Sequence, residues 1–245
     1  MRDSVKNFYY TSGKEYLNQG FRTMHDVPKD LLDTSTKVGK IRLIQKIAHE
    51  TNQPYKDEPK LREFFSKLTF PLHFLDFEAY DRGRKKIPFQ HSLHIMKENK
   101  KINHFEFLGR SKNPKKVMKV HLQNVMKQKG SIIVFNKHFE KKILKQLGLP
   151  QFIPRLADIW MPFKNFYYYH PSQKGSTSLK AVYPAVTGKK TYKELAVSNG
   201  MHAQKRYKKM LQTRFDQKRI NELLEYCCLD TYSMVEIYDE LISKN

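Results

Sequence analysis

The sequence has little cysteine and no long apolar segment. Its two cysteines are adjacent, at Cys227 and Cys228. Neighbouring cysteines do not easily pair with each other, and no zinc-like spacing is present. No apolar run reaches the roughly 18 residues of a membrane-spanning helix, and Met1–Tyr16 contains no apolar signal-peptide stretch. We therefore expect a cytoplasmic protein in a reducing compartment, without a membrane partner.

Acidic residues are scarce relative to basic ones. The 245 residues include 24 Asp and Glu against 46 Lys and Arg, which gives a formal net charge of +22. Such a charge produces self-repulsion unless a polyanion offsets it, and nucleic acid bound in a salt-sensitive way is the obvious candidate. Because lysine greatly outnumbers arginine, a lysine-favouring genome explains the charge equally well. Charge alone leaves both explanations open, and the sequence identifies no protein partner.

The apolar pattern predicts an α/β fold with one sheet and helices packed on it. In the middle of the chain, the pattern predicts three consecutive strands, then a helix ending at Gly130, a buried strand and a further helix. Their predicted bounds are Leu72–Ala79, Phe89–Lys97, Ile102–Leu108, Lys115–Lys129, Ser131–Phe135 and Lys137–Leu147.

The remaining segments divide the chain into two predicted parts. Residues 1–67 are polar and helical, with helices over Val38–Glu50 and Lys60–Leu68, and form an N-terminal extension. Residues 68–245 form the main domain. Within it, residues 160–192 are predicted as loops around a short helix, and Asn221–Ser243 as an amphipathic helix.

Asp76 and Glu78 are the first candidate metal ligands. Residues two apart in a strand project from the same face, so both carboxylates should leave an otherwise apolar strand together. Their mutual repulsion would be relieved by a divalent cation, and Mg²⁺ and Mn²⁺ prefer carboxylate oxygens. A solvated strand end is the alternative explanation, since Asp-x-Glu is a common pattern.

Two further polar segments lie near predicted element boundaries. Asn136 occupies a helix N-cap position after the buried strand, and Glu140 lies one turn later. Tyr226 and Asp230, four residues apart, share one face of the last helix. A carboxylate on this apolar face needs a partner, either a metal or a lysine. Asp158 is a candidate for a further acid of the site or for a loop cap.

These segments together resemble the DEDD exonucleases, and specifically their tyrosine subclass. The Asp-x-Glu motif of that superfamily is matched by Leu75–Glu78, its Asn-x-x-Phe-Asp motif by Asn136–Glu140, and its Tyr-x-x-x-Asp motif by Tyr226–Asp230. The histidine subclass would have histidine where this chain has Glu225. The second motif departs from the pattern, because Glu140 replaces the usual Asp.

The resemblance implies an RNase H-like mixed sheet flanked by helices, two Mg²⁺ or Mn²⁺ ions, and 3′→5′ exonuclease activity on single-stranded DNA or RNA. It implies that Asp76, Glu78 and Asp230 bind the first ion, that Asp76 bridges to the second, and that Glu140 holds the second. Tyr226 would orient the attacking water. The products would be nucleoside 5′-monophosphates.

The chain also resembles an uncharacterised bacterial family that has the same exonuclease-like domain. The shared phrases are Pro71–Glu78, Pro88–His94, Gly175–Lys180 and Tyr226-Cys227. Longer members of that family carry another nuclease-like domain upstream, and we expect residues 1–67 to correspond at most to the linker that follows it.

The candidate substrate contacts are Phe77, Asn136, Lys174 and Lys180, and bases could stack on aromatic residues in Phe166–Tyr169. Loop packing explains that aromatic segment equally well. His91 and His94 are interpreted as core or hydrogen-bonded histidines on opposite sides of a strand, not as ligands. The rival functional hypothesis is a nucleic-acid-binding module that kept the fold but has weak or no activity. A phosphatase with an Asp nucleophile is a remote third.

Overall fold

The computed structural model describes residues 3–189, 192 and 195–243, and the chain divides into two compact units. In chain order the helices are α1 (Lys14–Leu17), α2 (Lys37–Thr51), α3 (Glu58–Ser66), α4 (Lys115–Val125), α5 (Lys137–Gln146), α6 (Met161–Lys164), α7 (Leu179–Thr187), α8 (Gly200–Gln212) and α9 (Gln217–Ser243). The strands are β1 (Tyr55–Lys56), β2 (Leu72–Arg82), β3 (Lys85–Met96), β4 (Ile102–Leu108), β5 (Ile132–Val134), β6 (Leu156–Asp158) and β7 (Tyr168–Tyr169).

The first unit comprises Met1–Ser66, Trp160–Lys189 and Glu240–Asn245. It contains the predicted N-terminal helices, and α2 begins where the Thr36 side chain accepts a hydrogen bond from the backbone N–H of Gly39. Residues 160–189, which the sequence assigned to the main domain, lie in this unit. The reason is that β7 pairs antiparallel with β1, so this segment forms a two-stranded sheet with the N-terminal region.

The second unit comprises Lys67–Ile159 and Lys190–Asp239 and contains the main sheet. The strand order is β4-β3-β2-β5-β6, in which β2, β3 and β4 are antiparallel neighbours. Strands β5 and β6 run parallel to β2. The four predicted strands therefore lie in one sheet, and the prediction of an α/β fold with a mixed sheet flanked by helices and a helical N-terminal region is confirmed.

Two hydrophobic clusters build the core of the second unit. One joins Leu75 and Phe77 of β2 to apolar side chains of α4 and α5. The other joins Phe89 of β3 to α8 and α9, with Tyr207 stacked on Phe89 at a ring distance of 4.0 Å. Because side chains alternate along β2, burial of Leu75 and Phe77 directs Asp76 and Glu78 to the other face.

Several predictions about the elements were wrong. Helix α4 ends at Val125, so Gly130 is not its cap. Glycine is needed there because a Cβ would come within 2.1 Å of the Pro71 carbonyl oxygen. The segment 160–192, predicted as loops around one short helix, contains two helices and a strand, α6, β7 and α7, while its residues 190 and 191 lie outside the described residues. Helix α8 was missed, because only Ala203, Tyr207 and Met210 of it are buried.

Within the described residues, no helix combines the length and the apolar character that crossing a bilayer requires.

Candidate metal centre

Three carboxylates from distant parts of the sequence meet in the second unit. Asp76 and Glu78 come from β2, and Asp230 comes from α9. One carboxylate oxygen of each lies within 4.8 Å of the others. The sheet explains part of this convergence, because β2, β5 and β6 are parallel and the polar residues that follow their apolar segments share one edge.

Glu78 lies at an irregular point of β2. The pairing of β2 with β3 shifts register between Glu78 and Ala79, which is a β-bulge or a similar irregularity. Helix α8 begins against this carboxylate, since a Cβ added at Gly200 would lie 3.4 Å from Oε2 of Glu78. The partial positive charge of a helix N-terminus favours a carboxylate at this position.

Asp230 is positioned by the docking of α9 on β3. The Gln90 side chain donates a 2.6 Å hydrogen bond to the Leu223 carbonyl. One residue after Asp230, the Thr231 hydroxyl is hydrogen-bonded to Ser92 and to His94, each at 2.8 Å. These buried polar contacts fix the rotation of α9 about its axis and therefore the direction in which Asp230 points.

Asp76 contacts a buried thiol. Sγ of Cys227 donates to Oδ2 of Asp76 at 3.5 Å. Burial, and then the neighbouring Asp76, Glu78 and Asp230, raise the pKa of the Cys227 thiol well above its usual value. The thiol therefore stays protonated and acts as a hydrogen-bond donor to Asp76.

Glu140 is a fourth acid beside this cluster. Its side chain is only 2% exposed, and its Oε2 atom is buried without a hydrogen-bond partner. Burial, followed by the nearby Asp76, Asp158 and Glu78 carboxylates, raises the pKa of Glu140 well above its usual value. A buried carboxylate that has one oxygen without a partner and faces like charges is destabilising unless a cation compensates it.

Asp158 acts as a helix cap. Its two carboxylate oxygens accept hydrogen bonds from the backbone N–H groups of Asn136, at 3.0 Å, and Lys137, at 2.9 Å. Asn136 does occupy the N-cap position of α5, but it has a left-handed conformation and its side chain makes no cap hydrogen bond. The predicted Asn136 cap is therefore replaced by Asp158, which β6 brings beside the end of β5.

Two tyrosines border the acids. Tyr226 is 4% exposed, and burial, then Asp230, Glu78 and Asp76, raise the pKa of its hydroxyl. The hydroxyl of Tyr192 donates a hydrogen bond to Oδ1 of Asp230 at 2.8 Å and accepts one from the Ser233 hydroxyl at 3.1 Å. The sequence analysis missed Tyr192, because no motif marks it and it lies in a segment without periodicity.

The donor set fits a hard divalent cation. All of the candidate ligand atoms are carboxylate oxygens, which Mg²⁺ and Mn²⁺ prefer over sulfur or nitrogen. The partnerless Oε2 atom of Glu140 indicates an unmet need for positive charge in the same place. These observations single out Asp76, Glu78 and Asp230 as the residues that could hold one ion, with Glu140 available for a second.

The structure places the predicted substrate contacts in different surroundings. Phe77 is 2% exposed and packs in the core, because its side chain leaves β2 on the opposite face from Asp76 and Glu78. Asn136 is exposed next to the Asp158 cap. Lys174 and Lys180 belong to the first unit. Of the aromatic segment Phe166–Tyr169, also in the first unit, all but Tyr167 are buried, so loop packing explains it better than base stacking.

A second cluster of potential ligands lies on the other side of Thr231. His94, His104 and Cys228 each have a ligand atom within 4.8 Å of the others. His94 is hydrogen-bonded to Thr231, His104 to Ser92 at 2.9 Å, and the two rings stack at 4.3 Å with an interplanar angle of 18°. Stacked rings direct their nitrogen lone pairs side by side, which does not suit coordination of one ion.

Comparison with known proteins gives one family match. Residues 73–178 match the model of a domain of unknown function, DUF2779. The matched segment includes Asp76, Glu78 and Glu140 but ends before Tyr192 and α9. Curated proteins give no match to the chain. Solved structures give none either.

Proposed function

We propose that the protein is a metal-dependent phosphodiester hydrolase that removes nucleotides from the 3′ end of single-stranded DNA or RNA. The observation that carries this proposal is the convergence of Asp76, Glu78 and Asp230, with the buried carboxylate of Glu140 beside them. Four acids gathered in this way disfavour folding through their repulsion, and bound cations would offset that cost, which supports the proposal.

The four acids have different roles in this proposal. Asp76, Glu78 and Asp230 would hold one Mg²⁺ or Mn²⁺ ion, and Glu140 with Asp76 would hold the second. When bound, the two ions supply a lower pKa for the attacking water and stabilise charge on the attacking and leaving oxygens. Asp158 stays outside the ligand set, because both of its oxygens accept backbone hydrogen bonds at the start of α5.

The tyrosines would act through hydrogen bonds and would not transfer protons. The raised pKa values of Tyr192 and Tyr226 keep both hydroxyls protonated at neutral pH. Tyr192 donates to Asp230 and so restricts the direction of that carboxylate. Tyr226 would orient the attacking water. The Cys227 thiol donates to Asp76 in the same supporting way.

The proposal is tested with 5′-labelled single-stranded DNA and RNA oligonucleotides incubated with Mg²⁺, Mn²⁺ or EDTA. We expect a ladder of shortened products with either metal and none with EDTA. The matched variants are Asp76→Asn, which should remove the ladder, and Glu106→Gln, which alters an exposed acid of β4 in the same unit. A metal-independent ladder, or an Asp76→Asn variant as active as Glu106→Gln, would contradict the proposal. Binding without cleavage would favour the inactive binding module.

A further inference from the structure

A basic pocket opens beside the first turns of α8. Its volume is about 380 Å³. Five of its six lining residues can carry positive charge: the pocket is lined by Ala196, His202, Lys205, Arg206, Lys209 and Arg219. All six belong to the second unit. A concave site with this charge is suited to an anion, and phosphate is the anion that lysine and arginine recognise most commonly.

The pocket combines fixed and adaptable cations. Arg206 forms an ion pair with Glu222, and Arg219 forms one with Asp216 at 3.1 Å. These pairs hold the two guanidinium groups in place. Lys205 and Lys209 are exposed and lie four residues apart, so they project from one face of α8.

Helix α8 is firmly attached to the sheet strand that carries Asp76 and Glu78. The Gln204 side chain accepts a 2.7 Å hydrogen bond from the Asp81 N–H and donates one to the Asp81 carboxylate. The Tyr207 hydroxyl donates to the Ser111 carbonyl at 2.8 Å. The basic face of α8 therefore has a defined position relative to β2.

Helix α8, which carries three of the lining residues' cations on its first turns, begins close to the acids. Gly200, the first residue of α8, abuts the Glu78 carboxylate. With a rise of about 1.5 Å per residue, Lys205 lies roughly 7.5 Å and Lys209 roughly 14 Å farther along the helix axis. A strand that runs from the acids past the start of α8 would bring its neighbouring phosphates to these lysines.

We propose that the α8 pocket binds the backbone phosphates next to the bond that is cleaved, so that the substrate is a strand of several nucleotides and not a mononucleotide or dinucleotide. The inference rests on the proposed function. The four acids repel a polyanion, and cations outside the acid cluster must offset that repulsion. Contacts to phosphate carry no sequence information, so binding should not depend on base sequence.

The test compares two double charge reversals of equal size. Lys205→Glu with Lys209→Glu alters the pocket. Lys141→Glu with Lys145→Glu alters two exposed lysines with the same spacing on α5, and changes the net charge by the same amount. Binding of a fluorescein-labelled 12-nucleotide single strand is measured by anisotropy in EDTA across a salt series. The matched Lys→Gln pairs serve as milder variants, and thermal unfolding checks the fold of all four.

We expect the pocket reversal to weaken binding about tenfold or more near 0.15 M salt and to reduce the salt slope by about 1.4, the value for two lost single-strand phosphate contacts. The α5 variant should bind within about twofold of the wild type. Equal affinity and slope in both variants would overturn the inference while leaving the proposed function intact. Loss of binding in the pocket variant, with no cleavage by the wild type, would refute the nuclease proposal and retain the pocket as a strand-binding site.

Discussion

The acid cluster (Asp76, Glu78 and Asp230, with Glu140 beside them) and the histidine cluster (His94, His104 and Cys228) occupy neighbouring positions between the sheet and α9. They differ in hydrogen bonding and in charge. His94 and His104 each hydrogen-bond a hydroxyl, and burial lowers the pKa of both rings, that of His94 to about 4. At neutral pH this cluster is therefore uncharged and complete. Glu140, in contrast, keeps a buried oxygen without a partner and a raised pKa.

The contrast separates a structural polar network from a group of acids that, under the proposed function, binds cations. A network of neutral, mutually bonded groups stabilises the packing of α9 without any ligand. A set of buried, mutually repelling carboxylates does not, and it gains stability only when cations bind. Proximity of potential ligand atoms is the same in both clusters, so hydrogen-bond satisfaction and charge are what distinguish them.

The largest expected effect is on metal binding. Asp76→Asn should lower the affinity for Mn²⁺ by more than about 100-fold, because loss of even an outer-shell partner typically costs 10–100-fold. His104→Ala, in the other cluster, should leave it unchanged. Isothermal titration with Mn²⁺ measures both. An affinity lost in His104→Ala and kept in Asp76→Asn would reverse the assignment of the two clusters.

The next effect concerns pH and the histidine cluster. The folded pKa of His94, about 4, lies below its unfolded value of about 6.5. Its contribution to stability is therefore present above pH 6.5 and is lost as the pH falls towards 4. The loss should approach about 1.4 kcal/mol per pH unit for one histidine.

Chemical denaturation in EDTA between pH 7 and pH 4 checks this expectation. His94→Gln should flatten the decline in the free energy of unfolding relative to the wild type. His138→Gln, at an exposed position on α5, should leave the slope as it is. Identical slopes in all three proteins would contradict the neutral, buried state of His94.

A smaller effect distinguishes Glu140 from Asp158. Without metal at neutral pH, Glu140→Gln should stabilise the fold by about 1 kcal/mol or more, because the neutral amide avoids the cost of burying or protonating this carboxylate, which is about 1.4 kcal/mol per pKa unit. Asp158→Ala should destabilise it by about 1 kcal/mol, because α5 loses its cap. Both are read from denaturation curves in EDTA. Changes of the same sign would mean that the two acids do not have the separate roles described.

Glu140→Asp sharpens the same distinction through activity. Cleavage that is kept or increased in this variant would identify Glu140 as the fourth acid. Cleavage that survives Glu140→Ala and is lost in Asp158→Ala would instead transfer that role to Asp158.

The smallest expected effect concerns the hydroxyls around Asp230. Tyr192→Phe removes one hydrogen bond to that carboxylate, worth about 0.5–1.5 kcal/mol, and should weaken Mn²⁺ binding at most about tenfold. Tyr226→Phe should slow cleavage while metal affinity is kept. Titration and single-turnover cleavage separate the two outcomes. If Tyr192→Phe weakens Mn²⁺ binding as much as Asp76→Asn does, then Tyr192 does more than position Asp230.

The sequence predicted the elements that are periodic or strongly apolar. Alternation along β2 placed Asp76 and Glu78 on one face, and the spacing in α9 placed Tyr226 beside Asp230. It could not predict the role of Asp158 or Tyr192, because each acts through a contact with a residue far away in the chain. Phe77 was wrongly predicted to contact substrate for a different reason. A residue that lies between two acids in a strand projects from the opposite face of the sheet.

Asp76 is in contact with Cys227, 151 positions later in the chain. At a synthesis rate of about 5–20 residues per second, roughly 8–30 s separate the translation of these two residues. Throughout that interval the nascent chain has Asp76 and Glu78 but not the carboxylate of α9. Under the proposed function, an activity that needs all three begins only after α9 has left the ribosome.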